Sequence, residues 1–312
     1  MIEIVRAAPH TVVQDLGFPS GVAFGLPPGG AMDPYRLRLA NLAVGNPASD
    51  AGLEWALGPL ALRFGDTRWV SGFGQAELRL NGNRIGNSTQ VHVPAGGLIE
   101  LVPGQRPLFS YFAIEGGLAV PPVLGSRATY LPGGFGGFEG RRLKPGDRIP
   151  LGPAKNAIRG LANRPEVLAP LDQPVEIVAR VTRGPQWDRF DAPAQELLLS
   201  ASWTIDRASD RMGYRLTGPQ IAPRETATLP SEAACPGAIQ VPDNGQPIVL
   251  MPDGPTVGGY PKIAVIVRSD LALVAQSPPG STVRFQLVEL AAARTIVNDV
   301  EAELRALEAA LA

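Results

Sequence analysis

Between Glu232 and Lys262 the sequence gathers carboxylates, primary amides, turn residues and one lysine into a short stretch. The chain has only three lysines, Lys144, Lys155 and Lys262, against 25 arginines. A lysine set directly after Gly258-Gly259-Tyr260-Pro261 is therefore a candidate for chemistry, since its ammonium could hold a carboxylate or oppose an oxyanion. The competing reading is a solvated lysine opening a strand. Gln240 and Gln246 offer amide donors and acceptors suited to a small ligand with its own N–H and C=O groups, or else to the backbone of the turns they sit in. Glu232 and Asp253 are candidate general bases if burial tunes them. Arg211, in Asp210-Arg211-Met212-Gly213, would meet a carboxylate. Tyr260 joins this group as a binding candidate by its position beside Lys262.

A second set lies in the first half. Gly125-Ser126-Arg127-Ala128-Thr129 leads into Pro132-Gly133-Gly134-Phe135-Gly136-Gly137-Phe138-Glu139-Gly140-Arg141-Arg142. Glycines let backbone approach a ligand, so Ser126, Thr129 and Arg142 are substrate-binding candidates, with Arg142 suited to an anion. A plain turn between strands fits the same residues. The segment has no Walker spacing, so it does not read as a nucleotide cradle. Two histidines and the lone Cys235 cannot build a usual zinc cage, and no metal site is expected. Cys235 has no convincing histidine near it in sequence and is not read as a nucleophile.

These residues have to be positioned by short elements. Gly 36 and Pro 32 together make up about 22% of the 312 residues, well above the ~12% of an average protein, which leaves little room for long helices. Apolar or alternating runs such as Leu60 to Phe64, Ala76 to Leu80, Leu98 to Val102, Val175 to Val181, Ile248 to Met251, Ile263 to Val267, Leu271 to Ala275 and Val283 to Val288 read as strands. Between them stand turn signals such as Asn81-Gly82, Pro94-Ala95-Gly96-Gly97, Pro145-Gly146 and Pro279-Gly280. Many short strands imply a barrel or sandwich. Helices are expected after Asp33-Pro34, from about Pro193 to Leu199, and over the C-terminal stripe Val297, Val300, Leu304, Leu307 and Leu311.

The proline-rich stretch around 153–174 reads as a linker, giving units 1–152 and 175–290 followed by a helix over 291–312. Loose echoes between the halves, such as Pro28-Gly29-Gly30-Ala31-Met32 and Pro236-Gly237-Ala238-Ile239, suggest a duplicated β-unit with a cleft where the copies meet. Charged residues are 18% and the net charge is -1, which argues against nucleic acid as a partner. The sequence shows no secretory leader and no run of ~18 apolar residues, so a cytoplasmic chain away from membranes is expected.

Four blocks together resemble the family of biotin-dependent carboxyltransferase-like proteins that includes KipA, allophanate hydrolase subunit 2 and the C component of 5-oxoprolinase. They are Thr11 to Gly17 with Leu26 to Asp33 and Ala40-Asn41; Gly116-Gly117 with Gly125 to Thr129; Asp210 to Gly213; and Pro236 to Val241 through Gly258 to Lys262. The resemblance implies two tandem cyclophilin-like β-barrel subdomains. It implies work beside a KipI-like subunit and, in 5-oxoprolinase, a LamB/YcsF-like subunit, opening the lactam 5-oxoproline to glutamate with ATP. Alternatives within the family are a carboxyltransferase component acting on urea or a related amide, and a KipA-type regulator that binds a kinase inhibitor. No cofactor is expected to be held tightly; ATP would be used by the complex, and biotin would come on another chain. Two departures stand out: Phe18 replaces a frequent arginine, and Gly254-Pro255-Thr256-Val257 replaces a more polar run.

Overall fold

The computed structural model describes residues 1–85, 90–103, 107–154, 176–224 and 229–311. Of the 153–174 linker only its first two residues fall among these. The chain is mainly β and divides into two units. The first comprises Met1–Phe18, Gly29–Gln173 and Leu304–Ala312, and the second Pro19–Pro28 and Pro174–Glu303. Residues 19–28 and 304–312 thus fall on the other side of the division from where the linker would put them. Within the second unit the Thr256 hydroxyl donates to the Gly25 carbonyl at 3.0 Å, tying the early segment in place.

In the first unit the strands are β1 (Ile2–Arg6), β2 (His10–Gln14), β3 (Gly52–Ala56), β4 (Leu60–Phe64), β5 (Arg68–Phe73), β6 (Gln75–Leu80), β7 (Asn83–Arg84), β8 (Val91–Val93), β9 (Leu98–Pro103), β10 (Ser110–Ile114) and β11 (Arg148–Ile149). They form a six-stranded sheet in the order β11-β1-β4-β9-β6-β7 and a five-stranded sheet in the order β2-β3-β10-β5-β8. Alternation decides which faces meet: Leu60, Leu62 and Phe64 point into one core with Ile2, Ile4, Ile99 and Leu101, while Arg63 of the same strand is exposed. Leu53, Trp55, Val70 and Phe112 of the five-stranded sheet complete that core.

Strands β2, β3 and β10 are buried along their whole length; helix α1 (Pro34–Ala43) covers β3, β10 and β5, and the Thr129 segment bonds to Val13 of β2. The helix starts where the sequence says it should. Asp33 caps it by accepting from Arg36 N–H at 3.1 Å, and Pro34 occupies the first turn, where a missing N–H costs nothing. Each fully buried leucine of α1, Leu37 and Leu39 among them, is worth roughly 1.5–3 kcal/mol in removal from water.

The second unit contains β12 (Glu176–Arg183), α2 (Ala192–Ser200), β13 (Trp203–Ile205), β14 (Gly213–Thr217), β15 (Glu232–Ala233), β16 (Ala238–Gln240), β17 (Ile248–Leu250), β18 (Val257–Gly258), β19 (Lys262–Ile266), α3 (Arg268–Ala275), β20 (Thr282–Leu287) and α4 (Leu290–Leu311). Seven of its strands close a barrel in the order β12-β19-β16-β17-β14-β13-β20, which removes exposed edges. The closing pair β12 and β20 is parallel, in register from Glu176 opposite Thr282 to Val181 opposite Leu287. Strands β15 and β18 form a separate two-stranded sheet.

Leu271–Ala275, expected as a strand, is the body of helix α3. A five-residue apolar run carries no period long enough to separate strand from buried helix. Asp270 decides it, placed in the helix's first turn and accepting from the Arg180 backbone N–H at 2.8 Å and from its guanidinium at 2.7 and 2.5 Å. Among the described residues no helix is long and apolar enough to cross a membrane.

Candidate functional site

Strand β19 opens at Lys262, and its pairing with β16 carries an irregularity. Ile239 lies opposite Ala264, but Gln240 lies opposite Lys262, so Ile263 is left without a partner on β16. Bulges of this kind re-aim side chains and are frequent beside working sites. Here the shift sets the two candidate residues directly across from each other. On the other side of β19 the chain leaving β12 runs past as Gly184-Pro185-Gln186, with Gly184 N–H donating to the Ile263 carbonyl at 2.9 Å. A Cβ on Gly184 would fall 2.2 Å from the Lys262 carbonyl oxygen, so only glycine allows this approach.

Lys262 is 3% exposed, and its Nζ donates to Glu232 Oε1 at 2.5 Å. The same Oε1 accepts from Gln186 Nε2 at 2.6 Å. Gln186 Oε1 in turn accepts from Lys262 N–H at 2.9 Å, and Gln186 N–H donates to the Lys262 carbonyl at 3.2 Å. Glu232 comes from β15, where it lies opposite Gly258 of β18. The hydrogen bond from Lys262 holds the Glu232 carboxyl below the usual carboxylate range, with Gln186 and the more distant Arg189 acting in the same direction. Burial raises the Cys235 thiol above its ordinary range, while the charge of Lys262 pulls it the other way. That thiol is not poised as a nucleophile.

Gln240 is 5% exposed, and its Nε2 is buried with no hydrogen-bond partner among the described residues. Leaving such a donor unmet costs ~1–3 kcal/mol, so a buried orphan calls for an acceptor. Lys262, Glu232, Gln186 and Gln240 therefore combine one ammonium, one ionised carboxylate and one unspent amide donor. These are the group types that amide recognition and opposition to a growing negative charge call for.

The other candidates of the second unit lie in arrangements of their own. Arg211 and Asp253 bind each other bidentately, Nε to Oδ2 at 2.8 Å and Nη2 to Oδ1 at 2.9 Å, both buried. Both carboxylate oxygens of Asp253 are thereby engaged by the guanidinium, a poor setting for a general base. Gln246 spends both ends of its amide on one turn residue, accepting from Gly218 N–H at 2.9 Å and donating to the Gly218 carbonyl at 3.1 Å. Together with Tyr260, Arg215, Asp243 and others it lines an open groove of about 590 Å³.

In the first unit Ser126 and Thr129 are buried and turned to the protein's own chain. Ser126 Oγ donates to Asp15 Oδ1 at 2.6 Å, and Thr129 Oγ1 donates to the Val13 carbonyl at 2.9 Å. Asp15 is the organiser that sequence reasoning passes over, accepting also from the backbone N–H groups of Gly17 at 2.8 Å and Arg127 at 2.5 Å. The glycines that follow serve close packing. A Cβ on Gly136 would meet the Ala128 carbonyl oxygen at 2.0 Å, and one on Gly137 the Thr129 hydroxyl at 1.9 Å. Phe18 is buried against Phe135, ring centroids 5.6 Å apart, so the departure at this position fills a core rather than a binding loop. Arg142 is exposed.

The residue that sequence reasoning misses at the main cluster is Gln186. It lies 76 positions before Lys262, in a segment with no motif, and the antiparallel pairing of β12 with β19 brings it there.

Comparison with known proteins places these residues in context. The carboxyltransferase domain family, subdomains A and B, matches residues 24–287. The chain is 40% identical over 287 residues to the C component of 5-oxoprolinase from Escherichia coli K12, covering 91% of this chain and 90% of that protein. To the Haemophilus influenzae protein of the same name it is 34% identical, covering 93% and 92%. Among solved structures the urea carboxylase of Kluyveromyces lactis superposes with a TM-score of 0.92 at 28% identity, over 98% of this chain and 29% of that one. The urea amidolyase of the same yeast gives the same TM-score, with this chain spanning 20% of its length.

Proposed function

The chain belongs to the carboxyltransferase domain family, subdomains A and B, and from that membership we propose that it is the C component of an ATP-dependent 5-oxoprolinase. The observation that carries the proposal is 40% identity sustained over nine-tenths of both chains to a protein of that name. Its relatives are subunits or segments of enzymes, and a component of a larger enzyme implies partners. The partners proposed are a KipI-like and a LamB/YcsF-like subunit.

The reaction breaks the lactam C–N bond of 5-oxoproline, puts a water oxygen on the carbonyl carbon, and returns protons to the departing nitrogen to give glutamate. ATP, used by the complex and converted to ADP and phosphate, supplies the driving force. In this chain Gln240 Nε2 donates to the lactam carbonyl oxygen, and the Lys262 ammonium opposes the charge that develops on it. Glu232 holds that ammonium in place, and its other oxygen moves a proton. Arg211 and Asp253 support the fold of this unit through their buried pair.

The test is reconstitution of the three subunits and measurement of glutamate formed from 5-oxoproline with ATP. Lys262→Ala is expected to lower turnover ~100–1,000-fold, the usual cost of losing one charge-stabilising donor. Activity that does not depend on this chain overturns the reading.

A second reading rests on the superposition with urea carboxylase, in which this chain would pass a carboxyl group to urea or a related amide. The orphan donor of Gln240 and the ammonium of Lys262 also suit a carboxylated carrier brought by a biotinylated chain. Turnover that requires such a chain selects this reading. A KipA-type regulator would bind its partner tightly, and Lys262→Ala and Gln240→Ala would leave that binding unchanged.

A further inference from the structure

From the geometry around Lys262 we infer that Gln186 is the positioning residue of the site: together with Lys262 it holds the Glu232 carboxylate in one orientation, with one oxygen engaged and the other left to work. The inference rests on the proposed role of the Lys262–Glu232 pair.

Glu232 Oε1 accepts from two donors, Lys262 Nζ at 2.5 Å and Gln186 Nε2 at 2.6 Å. Its Oε2 has no partner among the described residues, and the side chain is 40% exposed. A carboxylate tethered by a single flexible lysine would be free to swing and rotate about that one contact. With a second donor fixed on the same atom, that rotation breaks two charge-assisted bonds at once. The carboxylate is thereby held with one oxygen inward and the other outward, on a side chain that is 40% exposed.

Gln186 itself has no such freedom. Its Oε1 accepts from the Lys262 backbone at 2.9 Å and its own N–H donates to the Lys262 carbonyl at 3.2 Å, so it is clasped to both sides of the residue whose side chain it serves. It is 9% exposed, and the next residue, Trp187, opens a short helical turn whose N–H donates to the Gly184 carbonyl at 3.1 Å. A glutamine suits this place because one amide provides an acceptor for the strand and a donor for the carboxylate; glutamate lacks the donor, and lysine lacks the acceptor. The charged groups that face Glu232 are Lys262 from β19 and Arg189 from the turn after Gln186; Cys235 senses Lys262 from the loop before β16.

The test uses the full chain and the reconstituted complex. In Gln186→Met, which keeps length without hydrogen bonding, carboxyl titration of Glu232 followed by carbon NMR on the full chain is expected to move up by about one pH unit, the tenfold worth of one hydrogen bond to a charged group. The acid limb of kcat for 5-oxoproline cleavage is expected to move up with it, while KM changes less than twofold. A titration that stays in place overturns the inference, and so does a titration that moves without the acid limb. Should Gln186→Met fold poorly, Gln186→Asn in wild-type and Glu232→Gln backgrounds reads the same point: a loss of about tenfold in kcat that vanishes when Glu232 is already replaced supports the inference, and full additivity overturns it. If Lys262→Ala turns over normally, the role proposed for the pair fails, while the NMR titration still reports separately on what Gln186 does to Glu232.

Discussion

Gly258 stands where any side chain would collide with the amide of Gln240, since a Cβ built on it falls 2.7 Å from Nε2. It also lies opposite Glu232 in the β15–β18 pair, so one glycine is shared between the strand pairing of Glu232 and the space of the unspent donor. Gly258→Ala is therefore expected to push the Gln240 amide aside and lower kcat/KM for 5-oxoproline by about tenfold to a hundredfold, the 1–3 kcal/mol scale of a misplaced hydrogen-bond donor. Steady-state kinetics of the reconstituted complex, with thermal unfolding as control, checks this; unchanged kinetics would remove Gln240 from substrate contact.

Arg211 and Asp253 give the opposite expectation. Breaking a buried pair leaves one charge stranded, so Arg211→Ala is expected to cost ~3–5 kcal/mol of stability. Replacing both by apolar residues, as in Arg211→Met with Asp253→Leu, is expected to cost less than the single change. Urea denaturation at neutral pH measures both. A stable Arg211→Ala chain with abolished turnover would instead return Arg211 to the chemistry.

How much of this can be read from the sequence depends on how locally each feature is written. The first helix is legible to the residue, because Asp33 and Pro34 are a cap and a first turn in adjacent positions. Asn81 and Gly82 announce their hairpin, and both adopt positive φ, 51° and 81°. Lys262 stands out by rarity, and Gln240 and Glu232 are found through their closeness to it in sequence. Gln246 is equally close yet belongs to Gly218, because side-chain alternation and a turn, neither of which marks a partner, decide where its amide goes. Gln186 and Asp15 cannot be found this way. Each takes its role from contacts more than 40 residues distant in sequence, Gln186 with Glu232 and Asp15 with Ser126.

Asp15 offers a test of the first unit. Its carboxylate accepts from Ser126 Oγ and from the N–H groups of Gly17 and Arg127, drawing the Gln14–Gly17 turn onto the Gly125–Thr129 segment. Asp15→Ala is expected to cost ~2–4 kcal/mol, more than Ser126→Ala at ~1 kcal/mol, because it strands several buried donors rather than one. Denaturant midpoints with unchanged m-values would confirm that ordering; equal costs would contradict it.

Tyr111 sets an alkaline limit. Burial, reinforced by the neighbouring Glu54 and Asp33 carboxylates, raises its phenol well above the ordinary range, and its hydroxyl donates to Glu54 Oε2 at 2.7 Å. Below the unfolded value near ~10 both states keep the proton and stability is unaffected. Above it the unfolded chain releases the proton while the folded chain retains it, so stability falls as pH rises. Tyr111→Phe is expected to flatten that alkaline decline while costing ~1–3 kcal/mol at neutral pH for the hydrogen bonds it orphans. Unfolding free energies measured between about pH 8 and 11, the window set by the ~10 reference value, decide it, and an equally steep decline in the variant would refute it.

The parallel seam between β12 and β20 bears on how the protein is made. Its two strands begin 106 residues apart, at Glu176 and Thr282, and neither can zip until the later one has left the ribosome. During synthesis the second unit therefore waits with the outer edge of β12 uncovered, a slow, non-local step of the kind that exposes a nascent chain to mispairing and to chaperones.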